Sequence, residues 1–121
     1  MFLAASNKSR QLLYVSFIGE VRPEEFQNDR RELAAELAGL SPGFHYLVDF
    51  SQLVSMSLDC ETEVGLTMDL LNQAGVGMVV RIIPDPSKDI GMNILTAFHY
   101  PPRLKVITCE NLAAAVRVLG L

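Results

Sequence analysis

The side chains able to do chemistry in this 121-residue chain are few and scattered. Cys60 and Cys109 stand alone, with no CxxC or CxxH spacing. His45 and His99 form no HxxxH pair. A structural metal site needs about four such ligands brought together in sets, and none is spaced for it. Both cysteines read instead as small buried apolar residues. Asp49 and Asp85 close two apolar runs and would sit at strand ends, where a carboxylate pair could trade protons. No histidine lies on either loop to work near neutral pH, so no catalytic residue is expected.

An anion site is equally weak. Asp59, Glu61 and Glu63 crowd the expected start of one helix and repel a phosphate from it. Asp85, Ser87 and Lys88 form a possible ligand loop before Ile90-Gly91, yet Asp85 and Asp89 flank the lysine and no GxxxxGK[ST] motif is present. A solvated turn with a helix cap is the better reading. No cofactor and no metal are expected.

The elements that must position these groups follow from hydrophobic period. Phe2 to Ala5, the polar turn Asn7-Lys8-Ser9-Arg10 and Leu12 to Val21 predict a β-hairpin. Pro23-Glu24-Glu25 opens a helix whose stripe is Phe26, Leu33, Leu37 and Leu40, stopped by Ser41-Pro42-Gly43. Phe44 to Phe50 is a strand, and Ser51 to Ser57 a polar connection. A helix from about Leu58 to Ala74 takes Ser57 as its N-cap. Met78 to Ile83 is a strand, Ile90 to Phe98 a short helix, Leu104 to Cys109 a strand and Leu112 to Leu119 the last helix. The order ββαβαβαβα predicts one α/β domain spanning 1–121, a mostly parallel sheet with an antiparallel edge and four helices. Right-handed crossovers would set successive helices on one face.

Composition narrows the partners. Half of the residues are hydrophobic and 20% charged, and the net charge is −4. That balance opposes nucleic acid and anionic membranes as partners. No apolar run reaches the roughly 18 residues of a membrane span, and the first residues lack a signal-peptide pattern. A soluble cytoplasmic protein is the expectation. Met56, Met68, Met78 and Met92, with Phe50 and Phe98, could line a pocket for a small apolar molecule, although core filling explains them as well. The last helix is apolar around most of its girth, which suggests a homodimer.

The segments QLLYVSFIGEVRPEEF, FHYLVDFSQLVSMSLD, GMVVRIIPDP and RLKVITCENLAAAVRVL resemble the SpoIIAA-like branch of the STAS-like domains, related to bacterial anti-sigma-factor antagonists. The resemblance implies an α/β sandwich that docks a protein partner, often without catalysis. It also implies comparison with lipid carriers of the Sec14 type. In the phosphoregulated antagonists a serine at the start of the second helix is the switch, within Asp, apolar, Ser and then Asp-Ser-Ser-Gly. Here Asp49-Phe50-Ser51 matches the first part, and Ser57-Leu58-Asp59-Cys60 stands over the second. Leu58 and Asp59 occupy the serine positions. Asp59 carries a fixed charge of about half to two-thirds that of a phosphoserine. Asp49, Ser51, Ser57 and Asp59 are therefore the expected docking or regulatory edge, with Ser57 or Ser51 the remaining hydroxyls open to modification.

Overall fold

A computed structural model describes residues 1–85, 96 and 99–121. Its elements are β1 (Phe2–Asn7), β2 (Leu12–Phe17), β3 (Gly19–Val21), α1 (Pro23–Leu37), β4 (His45–Asp49), β5 (Leu53–Met56), α2 (Cys60–Gln73), β6 (Met78–Ile82), β7 (Lys105–Cys109) and α3 (Leu112–Leu119). A five-stranded sheet runs β1-β2-β4-β6-β7. The hairpin β1–β2 is antiparallel, and every other neighbour in this sheet is parallel. The expected mixed, mostly parallel α/β sheet is what forms.

Three expectations need correction. Leu12 to Val21 is not one strand. Gly19, at φ 73°, turns the chain out of β2, and its N–H donates to the Gln52 carbonyl at 2.9 Å. Residues 19–21 then pair in parallel with β5, which lies inside the stretch Ser51 to Ser57 read as a polar connection. The order is thus βββαββα up to the second helix, not ββαβα. The last helix, moreover, does not share a face with the others. Strand alternation points Leu13, Val15, Tyr46, Val48 and Val79 towards Phe26 and Leu33 of α1 and Val64, Met68 and Leu71 of α2. The opposite face points Leu47, Val80, Ile82 and Cys109 towards Ala115 and Leu119 of α3. Three helices stand among the described residues rather than four; the expected helix Ile90 to Phe98 lies mostly outside them, with Thr96 and His99 helical.

Local chemistry explains the helix ends. Pro23 needs no hydrogen-bond partner at the first helical position, and Glu24 and Glu25 suit the positive end of α1. The Asn111 side chain accepts from Ala114 N at 2.9 Å to start α3, and Gly120 in the left-handed region stops it. Only one side of α3 meets the sheet; Leu112 and Val118 stay exposed. Both cysteines are free and buried, as their apolar reading requires. The crossovers through α1 and α2 meet at one tight point. Gly77 N donates to the Phe44 carbonyl at 2.8 Å, and a Cβ on Gly77 would come 2.6 Å from the Gly43 carbonyl oxygen.

Candidate functional site

The four residues of the expected edge part company in space. Asp49 ends β4 and is buried in the sheet. Its Oδ1 accepts from Ser51 N at 2.8 Å, folding the chain back after the strand, and its Oδ2 accepts from the Tyr14 hydroxyl at 3.2 Å, tying β4 to β2. Burial pushes the Tyr14 phenol up; a hydrogen bond with Ser16 opposes this, and the Asp49 charge adds to it. Both carboxylate oxygens are thus engaged in holding the strand end.

Ser51, Ser57 and Asp59 are exposed on the segment from β4 to α2. Ser57 is not the N-cap. The helix enters through a tight turn in which Cys60 N donates to the Ser57 carbonyl and Glu61 N to the Leu58 carbonyl, leaving Asp59 as the cap residue without a side-chain bond. The Ser57 hydroxyl lies 3.6 Å from the Cys60 thiol, which also reaches the Val21 carbonyl at 3.6 Å. Val21 belongs to β3, so the small two-stranded sheet and this buried thiol together fix the turn.

That turn holds Leu58 out at 90% exposure, with Val54 of β5 at 71%. Sequence reasoning set Leu58 at the start of the helix and singled out neither residue as exposed apolar surface. The available signal was a leucine set between Ser57 and Asp59, both turn-forming residue types, where no helix stripe could claim it. Asp59 and Glu61 flank Leu58 with negative charge.

Asp85, the first residue of the expected ligand loop, is exposed beyond β6; Ser87 and Lys88 lie outside the described residues. Among the described residues no cluster of three or more His, Cys, Asp or Glu is placed to hold a metal ion, and no helix is long and apolar enough to cross a membrane.

A second region lies between the sheet and α2: of the side chains read as a possible apolar pocket, Met68 and Phe50 line a cavity there, Met78 faces the other side of the sheet, Met56 packs against the core, and Met92 and Phe98 lie outside the described residues. Phe17, Phe26, Phe50, Met68 and Leu71 help line this cavity, of about 30 Å³, shared with Tyr46, Thr67, Tyr100 and Arg81. This is room for about two water molecules and not for an acyl chain. Arg81 is 3% exposed, and its Nη1 donates to the Thr96 hydroxyl at 3.2 Å. Burial holds the Tyr46 and Tyr100 phenols above their ordinary range, so both stay protonated; Arg81 moderates the shift at Tyr100. Beside the cavity, His99 Nδ1 lies 2.8 Å from Asp69 Oδ1, and its ring rests on Gly65, where a Cβ would come 2.5 Å from Nε2. This contact clasps the segment carrying Tyr100 onto α2. The sequence signal for the cavity was one charge inside the apolar strand Met78-Val79-Val80-Arg81-Ile82.

No family model matches the chain, and no curated protein matches it. Solved structures do. An uncharacterized protein of the DUF3478 family with a SpoIIAA-like fold, from Shewanella loihica PV-4, superposes with a TM-score of 0.73 at 18% identity, covering 98% of this chain and 93% of its own. The anti-sigma factor antagonist SpoIIAA in its unphosphorylated form superposes with a TM-score of 0.63 at 17% identity, covering all of both chains. With the parallel sheet, its antiparallel leading strand and the flanking helices, these superpositions establish that the chain has the SpoIIAA-like fold.

Proposed function

We propose that this chain is a non-catalytic regulatory or interaction module that docks a protein partner through the segment from the end of β4 to the first turn of α2. The observation that carries the reading is Leu58, a large apolar side chain held out at 90% exposure on a hydrogen-bonded turn. Val54 extends the apolar surface, and Asp59 and Glu61 give its rim negative charge. A partner that fits offers an apolar pocket edged by Lys or Arg. The structural likeness to an anti-sigma factor antagonist favours a protein as that partner. The carboxylates fit this reading better than catalysis: Asp49 is committed to Ser51 and Tyr14, and Asp59 stands exposed beside Leu58 with no side-chain bond to the helix it precedes.

The test is binding of the partner recovered with the wild-type protein, measured against Leu58→Asp and Val54→Asp. Both side chains are exposed, so the variants are expected to fold. Loss of a leucine buried at an interface costs about 1.5–3 kcal/mol, or roughly 10- to 150-fold in affinity. Unchanged binding by Leu58→Asp, with circular dichroism intact, removes this edge as the docking site. Mass spectrometry of the protein from its native cells reads modification of Ser57 and Ser51 separately.

A further inference from the structure

The free edge of β1 brings a row of open backbone groups beside a row of carboxylates. β1 ends the five-stranded sheet, with β2 on one side and no strand of the described residues on the other. Its pairing with β2 fixes which backbone groups face outwards. Ile18 N donates to the Met1 carbonyl, and the Met1 amino group donates back to the Ile18 carbonyl. In an antiparallel ladder every second residue repeats that exchange. Leu3, Ala5 and Asn7 therefore bond to β2, and the N–H and C=O groups of Phe2, Ala4 and Ser6 point to the free edge. Such an edge is normally blunted by charge, proline or a bulge. β1 reads FLAASN in unbroken register, with none of these, and Leu3 stands 49% exposed on it. The opposite edge strand, β7, carries the exposed Lys105.

Helix α1 borders the same edge. Its Glu25 carboxylate lies 3.5 Å from the Met1 amino group, and its Glu36 accepts from the Ser6 hydroxyl, so helix and strand run side by side. Glu25, Asp29, Glu32 and Glu36 recur at the helix period on that flank, while Arg30 turns the other way to Glu63 of α2. Asp29 registers the crowding: burial pushes it up to about 6, helped by Glu32 and Glu25 and opposed by the amino terminus. Cations close the two ends of the row, the amino group at Glu25 and Lys8 against Gly39, and its middle is acidic.

From the open backbone row of β1 beside this acidic flank, we propose that an extended, basic segment of a protein partner adds to the sheet as a further strand. Backbone bonds to Phe2, Ala4 and Ser6 hold it. Strand alternation sets its sequence: Lys or Arg on the side of α1, and apolar residues on the other side, beside Leu3 and Ala5. A second copy of the chain fits less well. Pairing β1 with itself about a two-fold axis sets two acidic flanks together, and like charges oppose docking. This edge and the Leu58 surface are argued from different residues, and neither reading depends on the other.

The test uses a labelled synthetic peptide of the length of β1, alternating lysine with valine and capped at both ends. It is titrated into the wild-type chain at low salt and followed by fluorescence anisotropy. The expected result is saturable binding that slows amide exchange at Ala4 and Ser6 and leaves Ala5, already bonded to β2, unchanged. Ala4→Pro removes an outward N–H without breaking a bond to β2, so it is expected to fold and to weaken binding more than about 10-fold. Glu32→Lys, at an exposed position, is expected to weaken it about 2- to 10-fold. Peptides N-methylated on the lysines or on the valines separate strand addition from plain charge attraction. One of the two is expected to lose binding and the other to keep it, because alternate N–H groups face the edge. That pair decides the matter should Ala4→Pro fail to fold. No saturable binding, equal binding of a peptide with glutamate for lysine, the same response from both methylated peptides, or unchanged affinity in folded Ala4→Pro overturns the proposal. Ala4 and Ser6 amides already protected without peptide, in a concentration-dependent dimer, overturn it in favour of a second copy.

Discussion

Asp49→Ala asks whether that carboxylate serves architecture or recognition. The substitution removes the acceptor of the Ser51 N–H, 2.8 Å away, and of the Tyr14 hydroxyl, 3.2 Å away. A hydrogen bond to a charged group is worth about 1.5–3 kcal/mol, and the longer bond to half-buried Tyr14 about 1 kcal/mol or less. Against these stands the cost of keeping a carboxylate 8% exposed, which the substitution relieves. The net expected loss is about 2 kcal/mol. Tyr14→Phe alone is expected to cost about 1 kcal/mol, because its hydroxyl partner Asp49 keeps the Ser51 bond. In the double variant the two losses should fall short of their sum by about 0.5–1 kcal/mol, the coupling of one shared bond. Urea unfolding at pH 7 measures all three, and an unchanged slope shows that the compared states stay alike. Partner binding at the Leu58 surface should not change in any of them. A loss below about 0.5 kcal/mol for Asp49→Ala, strict additivity, or selective loss of binding with full stability would refute the architectural role.

Other consequences can be measured directly. Gly77→Ala sets a Cβ 2.6 Å from the backbone oxygen of Gly43, where no side chain can give way, so a loss of at least about 2 kcal/mol in urea midpoint analysis is expected. Leu58→Asp should leave stability within about 0.5 kcal/mol of wild type by the same assay, separating its binding effect from folding. Asp29 is pushed up to about 6 by burial, then by Glu32 and Glu25, with the chain's amino terminus opposing. Between its ordinary value and about 6 the native state holds the proton more tightly than the unfolded chain, so lowering pH through that window adds stability. The group is largely solvent-screened, so the gain should stay under about 1 kcal/mol and vanish in Asp29→Asn. A flat wild-type profile over that window would contradict this.

The main sheet was legible because its strands are long and apolar: Leu12–Phe17, His45–Asp49 and Met78–Ile82 all fall within their expected spans. The pair β3–β5 was not, because three or four residues give no period, and the turn at Gly19 depends on a backbone angle. The face chosen by α3 escaped for a different reason. Its stripe specifies one apolar side, but both sides of the sheet offer apolar residues: Tyr46 and Val48 one way, Leu47 the other. Ser57 was a sound capping residue, yet a turn of 3₁₀ type shifted the helix start to Cys60. Arg81 was hidden by its neighbours, since pattern counting treats one cation in a strand as noise, whereas among the described residues it is the most deeply buried charged side chain.

The first turn of α2 also inherits stiffness from farther along the helix. Arg30 of α1 pairs with Glu63, one turn in, and His99 locks over Gly65 just beyond. Two such struts leave little freedom for the ridge ahead of them. A partner would meet a pre-shaped surface whose ordering entropy was already spent during folding, so association should be fast and dissociation should set the affinity.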